Sequence, residues 1–193
     1  MNIEIRKLSV ENMADWLDFF DNVAFEDNKE WSGCYCMCHL WDEELNRRKA
    51  WGCSVEDAEF NRNCAIDFIK SERMQGYLAY SDGKVVGWCN ANDKNSYGDV
   101  VINFKEAQQD ENEKIKAIVC FCIAPKMRGT GIASMLLEEV CNDAQKEGFE
   151  CIEAYPFEER ANHDFHGSEK MYEKFGFKQC GNLSGCAIYR KQL

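Results

Sequence analysis

The sequence lacks the segments that would place it in a membrane or export it. No apolar run approaches the roughly 20 residues that a membrane-spanning helix needs. The first ten residues alternate charged and apolar side chains, so they lack the apolar stretch of a secretory signal. No internal repeat or flexible linker divides the chain. We therefore expect one cytoplasmic domain over residues 1–193, without a membrane partner.

Basic residues are outnumbered as well. The chain has 23 Lys and Arg against 34 Asp and Glu, which gives a formal net charge of −11. Because nucleic-acid binding depends on basic side chains that neutralise phosphates, we expect no nucleic-acid partner. Two interpretations of the negative charge remain: it attracts cationic amines to a cleft, or it only keeps the protein soluble.

Cysteine, in contrast, is abundant, with 12 residues. A chain of this length and hydrophobic content does not need disulfides, so we expect reduced thiols that serve as small buried hydrophobic side chains. The segment Cys34-Tyr-Cys-Met-Cys-His39 also suggests zinc, with Cys53 and Cys64 as further ligands. Structural zinc usually shows C-x₂₋₄-C pairs, whereas alternating cysteines would place their thiols on one face of a strand, beside Trp31 and Trp41. We expect no metal.

Hydrophobic periodicity predicts a mixed α/β domain. The predicted helices cover residues 12–20, 54–73, 132–147 and 168–175. The predicted strands cover residues 3–8, 76–79, 84–91, 116–123, 149–155, 177–179 and 187–190. A capping box, Ser54–Asp57, opens the second helix, and the apolar run 116–123 is typical of a central strand buried on both faces. The polar stretch 92–113 is predicted to be a long loop or an irregular insertion.

One strand-turn-helix segment, residues 120–133, carries the candidate chemistry. The start of such a helix presents N–H groups without internal partners and a partial positive charge. Gly129 and Gly131 allow a phosphate to approach the backbone, and Lys126 and Arg128 add positive charge. The segment is therefore a candidate binding site for a diphosphate.

Other phosphate-binding motifs fit this segment poorly. A dinucleotide-binding loop would continue as G-x-G-x-x-G, but Ser134 stands at the third glycine position. The Gly-Lys-Ser/Thr ending of a Walker loop is absent from the segment. An ordinary strand-turn-helix, with glycines only as turn residues, is the remaining alternative.

Two motifs resemble the GNAT superfamily of acetyltransferases. Arg128-Gly-Thr-Gly-Ile-Ala133 resembles its coenzyme A loop, Arg/Gln-x-x-Gly-x-Gly/Ala, and Tyr172-Glu-Lys-Phe-Gly-Phe177 resembles its C-terminal signature, Tyr-x-x-x-Gly-Phe. The strand Val85-Val-Gly-Trp88 is also similar. The resemblance extends from about residue 76 to the end, whereas the first 75 residues match only in the order of elements.

The resemblance implies a GNAT-like acyl-CoA N-acyltransferase fold, with a central mixed sheet of six to seven strands flanked by helices. Residues 76–193 would form the acetyl-CoA-binding core, and residues 1–75 a helical part on the acceptor side. The strands 116–123 and 149–155 would splay apart, with the pantetheine arm between them. The Trp- and Cys-rich segment would line the acceptor pocket if it does not simply pack into the core.

The resemblance also implies roles for individual residues. The backbone N–H of Cys122 or Ile123 would polarise the thioester carbonyl. Tyr172 would protonate the departing coenzyme A thiolate as general acid, unless it only anchors its short helix in the core. Asn162 would bond to the cofactor arm. The residues expected at the diphosphate are Met127, Arg128, Gly129, Thr130, Gly131, Ile132 and Ala133.

The sequence leaves the general base open. An amine with a pKa of roughly 10.4 must lose a proton before it attacks, so a carboxylate or a water chain should be close. Glu153 interrupts an apolar strand, where a charge is costly unless it is paired or useful. It either acts as the base, or faces solvent or pairs with a Lys or Arg. His163 and His166 could shuttle protons, although histidines in loops usually lie in solvent.

We therefore predict an N-acetyltransferase that moves an acetyl group from acetyl-CoA to a primary amine of a small molecule by direct attack. Acetyl-CoA would be a cosubstrate. Two alternatives remain: a non-catalytic acyl-CoA-binding module, and a cysteine-based metal or redox sensor. The sequence identifies neither the acceptor amine nor the oligomeric state, and a homodimer is one option.

Overall fold

A computed structural model describes residues 2–41, 57–98, 113–157, 165–183 and 185–193. In these ranges it has the helices α1 (Met13–Asn22), α2 (Ala58–Lys70), α3 (Ile132–Lys146) and α4 (Glu169–Lys174). The strands are β1 (Ile3–Lys7), β2 (Gly76–Ser81), β3 (Lys84–Asp93), β4 (Ile115–Ile123), β5 (Cys151–Ala154), β6 (Lys178–Leu183) and β7 (Cys186–Gln192). Among the described residues, no helix has the length and apolar character needed to cross a membrane.

The seven strands form one sheet in the order β1-β2-β3-β4-β5-β7-β6. All neighbouring strands are antiparallel except β4 and β5, which run parallel. This sheet with flanking helices confirms the predicted mixed α/β fold. The β4–β5 pairing covers only residues 115–118 against 151–154, while the β3–β4 pairing continues to Ile123. The last part of β4 therefore has no β5 partner, and a gap opens between the two strands.

A bulge in β4 lies where this gap begins. Asn90 of β3 pairs with Cys120, but the next residue, Ala91, pairs with Ile118, so Val119 is an extra residue on β4. A bulge bends its strand and shifts the alternation of side chains by one position. Ile118 and Phe121 consequently face the same side of the sheet and share one core cluster.

Each face of the sheet carries its own hydrophobic core. On one face, Leu136, Leu137 and Val140 of α3 are fully buried against Ile118 and Ile152. They belong to the stripe of α3 that the helical spacing predicts, and each such side chain contributes about 1.5–3 kcal/mol on burial. The opposite face is covered by α1 and the segment that follows it.

The core on that opposite face is rich in aromatic side chains. Trp16 and Phe20 of α1 pack there with Trp88 of β3, and the Trp16 and Trp88 rings meet edge-on at 5.8 Å. Tyr155, which follows β5, belongs to the same core. The N-terminal part of the chain and this face of the sheet therefore share one core. Because that core includes Val119 and Cys122 of β4, the N-terminal part lies near the gap.

The cysteine-rich segment does not form the predicted strand. Tyr35 and Cys36 both have positive φ, at 44° and 53°, and Cys38–Leu40 is a 3-10 turn. The expectation that alternating thiols line one strand face is therefore wrong. The packing expected beside Trp41 is found, since Cys36 and Trp41 lie in the same core, whereas Trp31 is 39% exposed.

Two predicted boundaries also change. β3 continues to Asp93, whose side chain accepts a hydrogen bond from the N–H of Asn95 at 2.9 Å and starts the 3-10 turn Lys94–Ser96. The first residues of the predicted loop 92–113 are therefore regular structure, and residues 99–112 lie outside the described ranges. Ser54 of the predicted capping box also lies outside them, and Asp57 makes no side-chain cap to α2.

Candidate active site

The free edge of β4 presents its backbone to the gap. The N–H of Phe121 donates to the carbonyl of Phe165 at 2.5 Å, whereas the N–H of Ala124 donates to Val86, the residue before Gly87 on β3, at 2.9 Å. Because N–H groups alternate between the two edges of a strand, the N–H of Ile123 points into the gap and that of Cys122 points to β3. Of the two amides considered from the sequence, only that of Ile123 therefore faces the gap.

The turn between β4 and α3 leaves a series of backbone N–H groups open. Gly129 and Gly131 have positive φ, at 76° and 91°, and Gly131 precedes the first residue of α3 without a side-chain cap. In the described part of the chain, the N–H groups of residues 129–134 have no backbone acceptor, and the first helical bond runs from Met135 to Gly131 at 3.1 Å. These open N–H groups and the helix dipole make the turn suitable for an anion.

The two glycines are required by conformation rather than by crowding. A Cβ atom at Gly129 or Gly131 would meet nothing within 4 Å, so the space beside both is open. Positive φ is costly for other residues, and this alone favours glycine here. Thr130 braces the turn, since its hydroxyl donates to the carbonyl of Met127 at 2.6 Å. The turn is thus held in shape while its outer surface stays accessible.

Two acidic residues after α1 hold the basic side chains of this turn. Arg128 donates through Nη1 to Asp27 at 2.5 Å and through Nε to the carbonyl of Ile123 at 3.2 Å. Lys126 pairs with Glu26 at 3.1 Å. Neither carboxylate could be predicted from the sequence, because Asp27 and Arg128 are 101 positions apart and no local pattern joins them.

Tyr172 lies on α4 close to the free part of β4. Its side chain is fully buried, its ring centroid is 6.5 Å from that of Phe121, and its hydroxyl donates to the carbonyl of His166 at 2.6 Å. Ser168 caps the helix by accepting from the N–H of Met171 at 3.1 Å. The Tyr172 hydroxyl is thus held by the carbonyl of His166, and the preceding carbonyl, that of Phe165, accepts from β4.

Glu153 is fully buried and surrounded by donors. One carboxylate oxygen accepts from Lys94 at 2.8 Å and from Tyr155 at 2.5 Å, and the other accepts from Arg190 Nε at 3.0 Å. Burial raises its pKa, but the hydrogen bonds from Lys94 and Tyr155, the Lys94 charge and Arg190 outweigh that effect and lower it overall. Of the alternatives left by the sequence, pairing with Lys and Arg describes this carboxylate.

His166 is not in solvent, although it lies in a loop. Its ring meets those of Phe157 at 4.3 Å and His39 at 5.5 Å. Burial, followed by the nearby His39, lowers the pKa of His166 well below its ordinary value. The imidazole is therefore neutral at neutral pH. The other two polar residues considered from the sequence, Asn162 and His163, lie outside the described residues.

In the part of the chain that the structure describes, no group of three or more cysteine, histidine or acidic side chains is arranged to hold a metal ion. No disulfide joins any two of the eleven cysteines in that part. Asn90 donates to the sulfur of Cys36 at 3.3 Å, and burial raises the pKa of Cys122. The Cys122 thiol is therefore protonated at neutral pH and has little nucleophilic or metal-binding character.

A further part of the site was missed in the sequence. The carbonyls of Phe165 and His166 contact the β4 edge and the Tyr172 hydroxyl respectively. The available signal was His166-Gly-Ser168 directly before the helix, since glycine followed by a serine cap marks a tight helix entry.

Comparison with known structures connects this geometry to one fold. PaiA N-acetyltransferase from Thermoplasma acidophilum, in complex with coenzyme A, has a TM-score of 0.59 at 18% identity, covering 100% of both chains. An N-acetyltransferase from Staphylococcus aureus has a TM-score of 0.58 at 16% identity, covering 100% of this chain and 99% of that one. A Drosophila melanogaster polyamine N-acetyltransferase, which catalyses the formation of N-acetylagmatine, has a TM-score of 0.59 at 12% identity and covers 100% of both chains.

These identities are low and support the fold alone. A search of curated protein sequences finds no match to this chain. The model of the acetyltransferase (GNAT) family, in contrast, matches residues 9–177, which include both the open turn and the Tyr172 helix. The chain therefore belongs to the GNAT acetyltransferase family and is an acyltransferase.

Proposed function

We propose that this protein transfers the acetyl group of acetyl-CoA to a primary amine of a small molecule by direct attack. The observation that carries the proposal is the gap between β4 and β5, which ends beside the open N–H groups of residues 129–134. A diphosphate and a thioester arm need these two features next to each other. The match of the family model supports acetyl transfer in general, and the acceptor is our inference.

The residues present fit the donor. The N–H groups of the turn, with Gly129, Thr130, Gly131, Ile132 and Ala133, offer hydrogen bonds to a diphosphate. Met127 and Arg128 directly precede these residues in the turn, and Arg128 adds a positive charge. Where β4 extends past β5, its edge offers the N–H of Ile123 to the donor, while that of Phe121 already donates to Phe165. Asn162 is proposed as a further polar contact to the pantetheine arm.

The N–H of Ile123 is proposed to polarise the thioester carbonyl. It points into the gap, and negative charge develops on that carbonyl oxygen only as the amine attacks. A donor fixed in a strand does not need to reorient during the reaction. This fixed amide therefore stabilises the transition state more than the ground state.

Tyr172 is proposed as the general acid. When the carbon–sulfur bond of the thioester breaks, the departing thiolate takes up a proton, and the Tyr172 hydroxyl can donate one. Its oxygen now donates to the carbonyl of His166, so the hydroxyl is already oriented and protonated. Breaking that hydrogen bond frees the proton for the sulfur.

Glu153 is proposed to act through its ion pairs and not as the base. Both oxygens already accept hydrogen bonds, and its lowered pKa makes it a weak proton acceptor. We propose instead that a water chain removes the proton of the attacking amine. The charged cluster around Glu153 would order that part of the sheet, on the face occupied by Tyr155.

A cationic acceptor is the class that we favour. The chain carries a net charge of −11, and a structural relative in Drosophila melanogaster acts on polyamines. A cytoplasmic location, the lack of nucleic-acid and membrane partners, the absence of metal and a homodimer all stay predictions. The alternatives of a non-catalytic module or a cysteine-based sensor have no specific observation in their favour.

The test is a panel of polyamines, monoamines and amino acids incubated with acetyl-CoA. Thiol release and the mass gain of the acceptor are measured together. We expect both with at least one cationic amine, in equal amounts. If the protein binds acetyl-CoA yet no amine of any class gains an acetyl group, the proposed acceptor class is wrong.

A further inference from the structure

One short turn joins the two groups to which we assign chemistry. The carbonyl of Phe165 accepts from the N–H of Phe121 at 2.5 Å, two residues before the Ile123 amide. The next carbonyl, that of His166, accepts from the Tyr172 hydroxyl at 2.6 Å. Each peptide unit is planar, and only the φ and ψ angles of His166 separate these two units, so the two bonds together position the hydroxyl relative to the edge of β4.

Gly167 directly follows these two carbonyls in the chain and lies beside the Tyr172 hydroxyl. It has a φ of 80°, and a Cβ atom there would lie 2.8 Å from the Tyr172 hydroxyl oxygen and 2.9 Å from the terminal carbon of Met171. Both distances are well below van der Waals contact. Any side chain at this position therefore has to displace the hydroxyl or the turn.

Another glycine of the chain has the same backbone conformation without this contact. Gly83, in the hairpin between β2 and β3, has a φ of 76°, and a Cβ atom there would meet nothing within 4 Å. The two positions share the cost of positive φ, but only Gly167 lies against the proposed acid. The comparison separates backbone strain from an effect on the hydroxyl.

We propose that Gly167 is a positioning residue for acetyl transfer. The absence of a side chain there lets the turn Phe165–Gly167 approach Tyr172, so that the His166 carbonyl orients the hydroxyl toward the gap. The proposal rests on the function proposed above, in which Tyr172 protonates the leaving thiolate. It predicts a role in the rate of transfer and none in donor binding, because the diphosphate turn lies on another part of the chain.

The test compares Gly167→Ala with Gly83→Ala and combines each with Tyr172→Phe. We expect Gly167→Ala to lower kcat by about tenfold to a hundredfold, as small misplacements of reacting groups do, with KM for acetyl-CoA within about threefold of the wild type. Gly83→Ala should lower the melting temperature while kcat stays unchanged. In the Tyr172→Phe background, Gly167→Ala should change kcat by less than about threefold, because the atom that it displaces is gone.

A gentler variant keeps the proposal testable if Gly167→Ala folds poorly. Ser168→Ala removes the cap to the N–H of Met171 and loosens the same turn without adding atoms. We expect a fall in kcat of about threefold to tenfold, which should also vanish in the Tyr172→Phe background.

Three results would overturn the inference in different ways. If Gly167→Ala and Ser168→Ala reduce kcat equally with and without the hydroxyl, the turn only stabilises the fold. A loss of kcat in Tyr172→Phe alone would then still support Tyr172 as the acid. If Tyr172→Phe itself turns over like the wild type, the acid assignment fails and the inference with it. Unchanged kcat in both turn variants contradicts the positioning role alone.

Discussion

The donor side and the acid side of the gap differ in how their polar groups are occupied. On the donor side, the N–H groups of residues 129–134 have no backbone acceptor in the described part of the chain, and the space beside Gly129 and Gly131 is open. On the acid side, the Tyr172 hydroxyl and the Phe121 N–H each already donate a hydrogen bond to a backbone carbonyl. One side is open for a ligand, and the other is already organised by the protein.

This difference has consequences for what each side contributes. Open N–H groups supply binding free energy once an anion arrives, because their hydrogen bonds are new. Groups that are already bonded must exchange partners, so they gain little affinity but provide a defined orientation. Changes on the donor side should therefore alter affinity, and changes on the acid side should alter turnover.

The largest expected effect is the loss of the Tyr172 hydroxyl. Tyr172→Phe should lower kcat by about a hundredfold or more, since general acid catalysis contributes roughly 10²–10⁴, with acetyl-CoA affinity unchanged. Tyr189→Phe is the matched control, because its ring packs in the same core, 6.4 Å from that of Tyr172. Steady-state kinetics of thiol release measures both. Equal losses in the two variants would mean that packing, not the hydroxyl, matters.

The next largest effect is a loss of stability when the Glu153 carboxylate is removed. Glu153→Gln removes the counter-charge of the buried Lys94, while Arg190 keeps its pair with Glu113, and the change should cost about 3 kcal/mol in the free energy of unfolding. Glu4→Gln, at an exposed pair with Arg6, should change stability little. Urea unfolding at pH 7 measures both. A stable Glu153→Gln variant with no turnover would instead support Glu153 as the base.

The Glu153 carboxylate should also make the free energy of unfolding depend on pH. Its pKa is lowered in the folded state, so its contribution is fully present above the unfolded value of about 4.5. That contribution is lost as the pH falls through the lower folded value. The wild type should therefore lose more stability than Glu153→Gln on acidification below about pH 4.5. Parallel pH curves for the two proteins would contradict the ion-pair role.

The donor side is tested at the turn itself. Gly131→Ala places a side chain at a φ of 91°, which costs about 1–2 kcal/mol or changes the turn, so we expect acetyl-CoA affinity to fall about tenfold. Gly148→Ala, just past the other end of α3, meets the same strain at a φ of 73° and should leave affinity unchanged. Equilibrium binding distinguishes them. Equal affinities in both variants would remove the turn from the donor site.

The smallest effect is expected for the basic side chain of the turn. Arg128→Ala should weaken acetyl-CoA binding by about threefold to tenfold, and added salt should reduce the difference from the wild type, because an exposed charge is screened. The effect is limited because Arg128 already pairs with Asp27. Lys178→Ala, on the exposed strand β6, is the control. Greater loss for Arg128→Ala than for Gly131→Ala would mean that charge outweighs the backbone.

The same contrast explains what the sequence could predict. The apolar run of β4, the stripe of α3 and the glycines between them are local patterns, and the structure has each of these elements in place. The bulge at Val119 could not be predicted from the sequence, because any residue of a continuous apolar run could be the extra one. The charged partners of Glu153, Arg190 and Lys94, come from β7 and the turn after β3, so no short window of sequence contains them.

The predicted strand over the cysteine-rich segment is wrong because two of its residues adopt an unusual backbone conformation. Tyr35 and Cys36 adopt positive φ without being glycine, which sequence patterns do not signal, and the predicted strand becomes a series of turns. Tertiary packing supplies the compensation, because both side chains are buried in the core beside Trp16. Long-range contacts thus decided this segment and the acid side alike.

Calorimetric titration of acetyl-CoA into the wild-type protein, repeated with Gly131→Ala and Gly148→Ala, tests the central claim most directly. The account predicts one acetyl-CoA bound per chain, about tenfold weaker in Gly131→Ala and unchanged in Gly148→Ala. No heat and no uptake at a saturating concentration of acetyl-CoA would contradict the claim that the open amides before α3 bind the donor.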